Sequence, residues 1–276
     1  MPEWLVWPGL VLLGTGVGAY GALIGAGGGF ILVPILLVLY PDLEPEEVTA
    51  ISLGVVWANA SSANLAYVRQ RRVDFLAGGL FAGATIPGAV AGAIAVRWFE
   101  GEAFEVAFAV LMLVVASMLL LPRPNRILVT PAPARFVRRL LTDGNGFTYS
   151  YAFDPILGVV LGLAVGIVAS LFGVGGGIFY VPAMVLLMRF PSYIAVATST
   201  FVLMFTAGTG ATVHLLAGYY AGVEAETVAL AAGTLIGAQI GALISVRLVS
   251  RQAIVLRLLS SALILVSLRQ LLAALL

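Results

Sequence analysis

Two runs of glycine are the most chemically suggestive residues in this chain. Leu23-Ile-Gly-Ala-Gly-Gly-Gly-Phe-Ile-Leu-Val-Pro34 and Leu171-Phe-Gly-Val-Gly-Gly-Gly-Ile-Phe-Tyr-Val-Pro182 share their glycines, valine and proline in one order, at an offset of 148 from Pro34 to Pro182. Consecutive glycines let a backbone leave helical geometry at no steric cost. A helix that restarts after such a break presents N–H groups with no intrahelical acceptor, at the positive end of its dipole. That end takes an anion without needing a charged side chain. Gly27, Gly28 and Gly29, with Gly175, Gly176 and Gly177, are therefore candidate substrate-binding positions. A dinucleotide fingerprint is a poorer reading, because it needs a preceding strand and a small third residue. Phe30 and Ile178 stand in the third position, each after a long apolar helix candidate. A phosphate loop needs Gly-Lys-Ser/Thr, and the chain has no Lys. Helix packing is the remaining alternative, although packing motifs favour spaced glycines over consecutive ones.

A second repeated pattern lies downstream. Ser52, Asn59 and Ser62 are spaced by seven and three residues, and Ser199, Thr206 and Thr209 repeat them at an offset of 147. Each row occupies one helix face. Polar groups at membrane depth must face protein or a wet cavity. The alternatives for any one hydroxyl are an interhelical hydrogen bond or a bond back to its own helix. At about 1.5 Å per residue, Asn59 and Thr206 lie roughly 18 Å along their helices, near the middle of a core of about 30 Å. The expectation is one central anion site lined by the six glycines, Asn59 and Thr206, with Ser52 and Ser199 flanking it. His214, the only histidine, sits near the outer end of its apolar segment and reads as interfacial. No Asp or Glu is evident inside the apolar segments, and the core holds no evident cation. With no Cys and one His, neither a metal nor a cofactor is expected; a net charge of +1 points to no nucleic-acid partner.

The elements that must position these residues follow from composition. Hydrophobic residues make up 61% of the chain and charged residues 10%, with a mean hydropathy of +1.09. A soluble domain carries about a quarter charged residues. Apolar segments run over 5–23, 27–40, 47–68, 75–98, 103–121, 154–172, 176–189, 194–218, 224–248 and 252–275. The second and seventh are short and directly follow the glycine runs. The N-terminal stretch lacks the basic start of a cleaved signal peptide, so the first segment reads as structure. Gly83, Pro87 and Ala91 match Gly233, Gly237 and Gly241 as a third correspondence. The fold expected is all-α: a polytopic membrane protein with two inverted-topology repeats, each with a glycine-broken helix or hairpin plus three transmembrane helices. The repeats would span 1–121 and 154–276, joined by a basic linker over 122–153. Within that linker, Ala134-Arg-Phe-Val-Arg-Arg-Leu-Leu141 reads as a short amphipathic helix on the membrane surface. Arginines cluster on the linker's side of the bundle and acidic residues on the other, with Arg97 the main exception. The positive-inside rule makes the linker cytoplasmic and places both termini outside, in the inner (plasma) membrane.

The paired Leu/Ile-Gly-x-Gly-Gly-Gly-x-x-x-Val-Pro motifs resemble those of the TauE/SafE family of sulfite and organosulfonate exporters. The resemblance extends to Ala50-Ile-Ser52 and Ala197-Thr-Ser199, to Val73-Asp74 after a basic turn, and to the central basic linker. Arg71 departs from a usual glycine, which Gly218 keeps in the second half, and Ile51 replaces a common Thr. The resemblance implies a membrane permease for small sulfur-containing anions. Partners are then that substrate and the lipid bilayer, with a homodimer compatible. A passive anion channel would use the same fold. A non-transporting scaffold is a reading of another class, disfavoured by the matched polar rows. A membrane-embedded enzyme would need a nucleophile and base, for which one His and no Cys leave few groups.

Overall fold

The computed structural model describes residues 3–120 and 135–247, with Ser260, Ile264, Ser267 and Leu268 beyond them. Nine α-helices, a short 3-10 turn (Val96–Trp98) and one hairpin are described. They are α1 (Glu3–Ile24), α2 (Gly29–Leu39), α3 (Pro45–Arg69), α4 (Phe75–Ala95), α5 (Gly101–Leu120), β1 (Val137–Thr142), β2 (Thr148–Phe153), α6 (Pro155–Leu171), α7 (Gly177–Leu186), α8 (Ser192–Ala217) and α9 (Glu224–Arg247). The apolar segment expected over 252–275 and the start of the linker lie outside the described residues. Four helical stretches, Val6–Ile24, Phe75–Trp98, Ser192–Ala217 and Glu224–Ser245, are long and apolar enough to cross a membrane. The chain is a polytopic, mostly helical membrane protein.

Local chemistry sets the helix starts. Glu44 and Glu47 form a reciprocal capping box before Pro45 opens α3. Asp74 caps α4 by accepting from the amides of Leu76 and Ala77, and Asp154 caps α6 in the same way ahead of Pro155. The two short helices have 11 and 10 residues. At about 1.5 Å per residue each spans roughly half of a hydrocarbon core.

Small residues bring the helices together. A Cβ on Gly233, Gly237 or Gly241 of α9 would run into the carbonyl oxygens of Val11, Thr15 and Ala19 on α1. Gly88 and Gly92 of α4 meet the carbonyls of Leu163 and Ile167 on α6 in the same way. Such backbone-to-backbone approach is how helices associate where burial against lipid gives no drive. The first helix of each half thus packs on the fourth helix of the other, α1 on α9 and α6 on α4. Helices α3 and α8 lie between them and pack on each other. Large apolar side chains such as Leu12, Leu216, Val228, Ile236 and Leu243 point outward, as hydrocarbon contact requires.

One expectation is corrected. Residues 137–142 form a strand, not a surface helix, and pair antiparallel with 148–153 in the register Val137 to Phe153 and Thr142 to Thr148. The physical reason is the turn. Asp143 Oδ1 accepts from the amides of Asn145 and Phe147, both at 2.9 Å, and Gly146 supplies a positive φ of 85°. Asp-Gly-Asn-Gly before the β-formers of Thr148–Phe153 is a hairpin signal that outweighs a short helical periodicity.

Candidate functional site

The two glycine breaks meet. A Cβ on Gly29 would lie 2.5 Å from the Gly173 carbonyl oxygen, and one on Gly177 would strike the Gly25 carbonyl oxygen. Each break therefore seats the first residue of its new helix against the other break. Gly27 and Gly175 face the same two side chains, Val56 of α3 and Leu203 of α8, and both of these are fully buried. The turns are built alike. Gly21 O accepts from the amides of Ala26 and Gly27, and Ala169 O from those of Val174 and Gly175. Gly28 and Gly176 then cap α2 and α7 at φ of 87° and 90°, a region that other residues enter only with strain. The first amides of α2 and α7 have no intrahelical acceptor, so the centre of the bundle concentrates two positive helix ends.

The flanking serines are bound to these turns. Ser52 Oγ donates to Gly173 O at 2.6 Å, and Ser199 Oγ donates to Gly25 O at 3.1 Å. Each hydroxyl thus holds the break of the opposite half. That is the interhelical alternative weighed above, and in this conformation neither hydroxyl is turned to solvent.

Asn59 and Thr206 are both fully buried; Asn59 joins its break through one intervening helix, α1, and Thr206 through two, α4 and α6. Gly28 packs on Val17, and Asn59 Nδ2 donates to the carbonyl of the next residue, Gly18, at 2.9 Å. Among the described residues Asn59 Oδ1 has no hydrogen-bond partner. Gly176 packs on Val165; its neighbour Gly166 abuts Thr85, whose Oγ1 lies 3.2 Å from Thr206 Oγ1. Thr206 also bonds back to Val202 O at 3.1 Å.

Two readings of ionisable residues are corrected. His214, in the last turn of α8, is not open to solvent: it is fully buried, with Nε2 3.5 Å from Thr49 Oγ1 and its ring against Tyr219. Packing of the last turn of α8 against α3 outweighs its position in the sequence. The second correction is a buried cation. Arg72, expected among the water-facing basic residues, has no exposed surface. Its guanidinium lies 3.6 Å over the Tyr193 ring and 4.8 Å from the Tyr67 ring. Nη1 donates to Gln70 Oε1 and Ser245 Oγ, and Nη2 to the Tyr193 carbonyl. Burial pulls its pKa below the ordinary guanidinium value. Nothing in the basic turn Arg69-Gln-Arg-Arg72 distinguishes this arginine from its neighbours. Only the left-handed φ of 53° at Arg71 turns the chain so that Arg72 points inward.

Asp74 organises the same end of the bundle. Its buried carboxylate caps α4 and takes a two-pronged bond from Arg139 of the hairpin, Nε to Oδ2 and Nη2 to Oδ1, each at 2.9 Å. Tyr151 donates to Oδ2 at 2.6 Å, and the Asp74 amide donates to Thr198 Oγ1 at 3.1 Å. Burial pushes this carboxyl upward, but the bonds from Arg139, Tyr151 and the Ala77 amide outweigh it and hold its pKa below the usual carboxylate value. The hairpin is thereby fastened across the α3–α4 turn, with Gly144 N donating to Gln70 O at 2.9 Å. The Val-Asp pair at 73–74 stood out in the sequence; its Arg and Tyr partners, 65 and 77 residues away, did not.

A family model described as the sulfite exporter TauE/SafE matches residues 10–270. The chain is also 34% identical over 242 residues to the probable membrane transporter protein YunE of Bacillus subtilis (strain 168), covering 86% of this chain and 87% of that one. No solved structure matches. With two broken helices meeting at the centre of a lipid-facing bundle, and a family match over nearly its whole length, the chain belongs to the TauE/SafE family of membrane transporters.

Proposed function

We propose that this transporter carries small sulfur-containing oxyanions, sulfite or organosulfonates, out of the cytoplasm by alternating access. The observation that carries the reading is the contact between the two glycine breaks, each held by a serine hydroxyl of the opposite half. Two helix N-termini converging on one point suit an anion with several acceptor oxygens. Residues 1–121 and 154–276 act as inverted-topology repeats around that point, an architecture of secondary transporters. The exchanged packing of α1 on α9 and α6 on α4 supports this, since swapping the halves leaves the pattern unchanged. Gly28, Gly29, Gly176 and Gly177 supply backbone donors, and Gly27 and Gly175, whose amides close the turns, line the same point. Asn59 and Thr206 line the two sides, with Ser52 and Ser199 flanking, and the linker 122–153 faces the cytoplasm. In this conformation Val56 and Leu203 close the centre, so binding requires α3 and α8 to separate there.

The test is efflux from proteoliposomes loaded in turn with sulfite, sulfate, thiosulfate, taurine and sulfoacetate. Saturable efflux of one of these, accelerated by the same anion on the far side, is the expected result. Non-saturating conduction without exchange would favour a passive channel. Absence of flux for all five would end the sulfur-anion reading.

A further inference from the structure

The centre of the bundle does not account for Arg72. Among the described residues this guanidinium is fully buried and makes no ion pair. Positions 121–134 and 248–276 contain no Asp or Glu side chain. Asp74 is committed to Arg139 and Asp154 to Arg135, while Asp143 accepts from the amides of its own turn through Oδ1 and acts on Arg72 only at a distance. Burying an uncompensated charge is costly, and stacking on two aromatic rings offsets only part of that cost. A guanidinium carries five donors. Three are engaged, to Gln70, Ser245 and the Tyr193 carbonyl. Among the described residues Nε has no partner, and one Nη2 hydrogen is uncommitted.

We propose that Arg72 is a second anion-binding residue, whose Nε edge takes a small free oxyanion at the hairpin end of the bundle, distinct from the glycine breaks. The geometry matches the ligand class: an arginine edge and an oxyanion form two parallel charge-assisted bonds, as Arg139 already forms with Asp74. The place matches a waiting position. Arg72 lies at the turn between α3 and α4, and the hairpin covers that turn through Gly144 N to Gln70 O and Arg139 to Asp74. The groups around the guanidinium are Tyr67 of α3, Tyr193 of α8, Ser245 of α9, Gln70 of the turn, and Asp143 and Tyr149 of the hairpin. The site is closed in this structure, so the anion reaches it when the hairpin lifts. Asp143 faces the guanidinium without contacting it, and an arriving anion supplies the direct partner that the Nε edge lacks among the described residues. The proposal rests on the reading above that the substrate is a small oxyanion.

The experiment uses the purified full chain in detergent and phenylglyoxal, which modifies arginines, with adducts assigned by peptide mass spectrometry. The probe is sodium methanesulfonate, against sodium gluconate at equal ionic strength. At a methanesulfonate concentration about ten times its Kd, mass action leaves about one site in eleven free, so modification of Arg72 slows about elevenfold. Exposed Arg69 keeps its rate. Equal rates at Arg72 in both salts, equal protection of Arg69, or an Arg72 that never reacts would each overturn the proposal. Arg72→Gln and Arg72→Lys give an independent reading by thermal unfolding. Methanesulfonate stabilises the wild type, less so the Lys variant, and not the Gln variant. A merely structural arginine would leave that salt-dependent shift intact in Arg72→Gln while lowering its melting point in gluconate. If Arg72→Gln does not fold, protection of the wild-type chain decides. Sulfur-anion efflux without protection of Arg72 defeats this site alone; protection without efflux defeats the transport reading alone.

Discussion

Replacing Asp74 by Asn barely changes its volume but removes the charge and turns one acceptor oxygen into a donor. Oδ1 accepts from Leu76, Ala77 and Arg139 Nη2, while Oδ2 accepts from Arg139 Nε and Tyr151. Whichever way the amide turns, its NH2 group faces an arginine N–H. Breaking a buried pair costs about 3–5 kcal/mol. The Arg139 side chain is 27% exposed, so water recovers part of this, and about 2–3 kcal/mol is the better figure. That energy holds the hairpin on the α3–α4 turn, and the peptide bonds after Arg138 and Arg139 become cleavable only when β1 leaves β2. Where opening is fast relative to cleavage, trypsin reads the open population, and about 2–3 kcal/mol raises the cleavage rate roughly 30- to 140-fold. The assay is limited trypsinolysis of purified wild type and Asp74→Asn in detergent, with fragments ending at Arg138 and Arg139 quantified by mass spectrometry. An unchanged rate would refute the reasoning, since the hairpin would then be held by something other than Asp74.

Acid should release the same hairpin. The folded Asp74 pKa lies below its ordinary value, so its stabilisation is complete above about pH 3.9 and fades as pH falls through the lower folded value. Tryptic fragments should stay flat across neutral pH, and an acid protease should cut the hairpin only below about pH 4; release at pH 6 would contradict this. Ser52→Ala should lower thermal stability by about 1 kcal/mol through loss of its bond to the Gly173 carbonyl. Ser199→Ala should cost less, because its bond to Gly25 is longer and shared with Val196; the reverse order would count against the paired role. Asn59→Leu should weaken anion binding by about ten- to a hundredfold with expression intact, for the loss of one neutral-to-anion bond of about 1.5–3 kcal/mol; calorimetry showing unchanged affinity would remove Asn59 from the site. For topology, cysteines at Asn145 and Glu44 should label from opposite membrane faces. Asn145 is the better hairpin position because Asp143 is buried in its own turn; labelling from one face would end the inverted-repeat trace.

Hydropathy and periodicity located the described helices to within a few residues, because a helix that crosses lipid must satisfy its own backbone and be apolar over a set length. The glycine runs revealed both breaks, and their duplication pointed to the pairing of Ser52 with Ser199 and of Asn59 with Thr206. These signals are local, or repeat at a fixed offset. What decided the rest was long-range contact. Whether a serine lines a cavity or holds a carbonyl depends on which backbone lies opposite it, and Gly173 is 121 residues from Ser52. The Asp-Gly-Asn-Gly turn carried a hairpin signal that the helical reading of 134–141 passed over, and Arg139 and Tyr151 acquire meaning only against Asp74. Arg72 is indistinguishable in sequence from Arg69 and Arg71. The backbone turn at Arg71 and the rings of Tyr67 and Tyr193 bury it, and burial depends on what the tertiary fold packs around a side chain, which residue type and spacing do not encode.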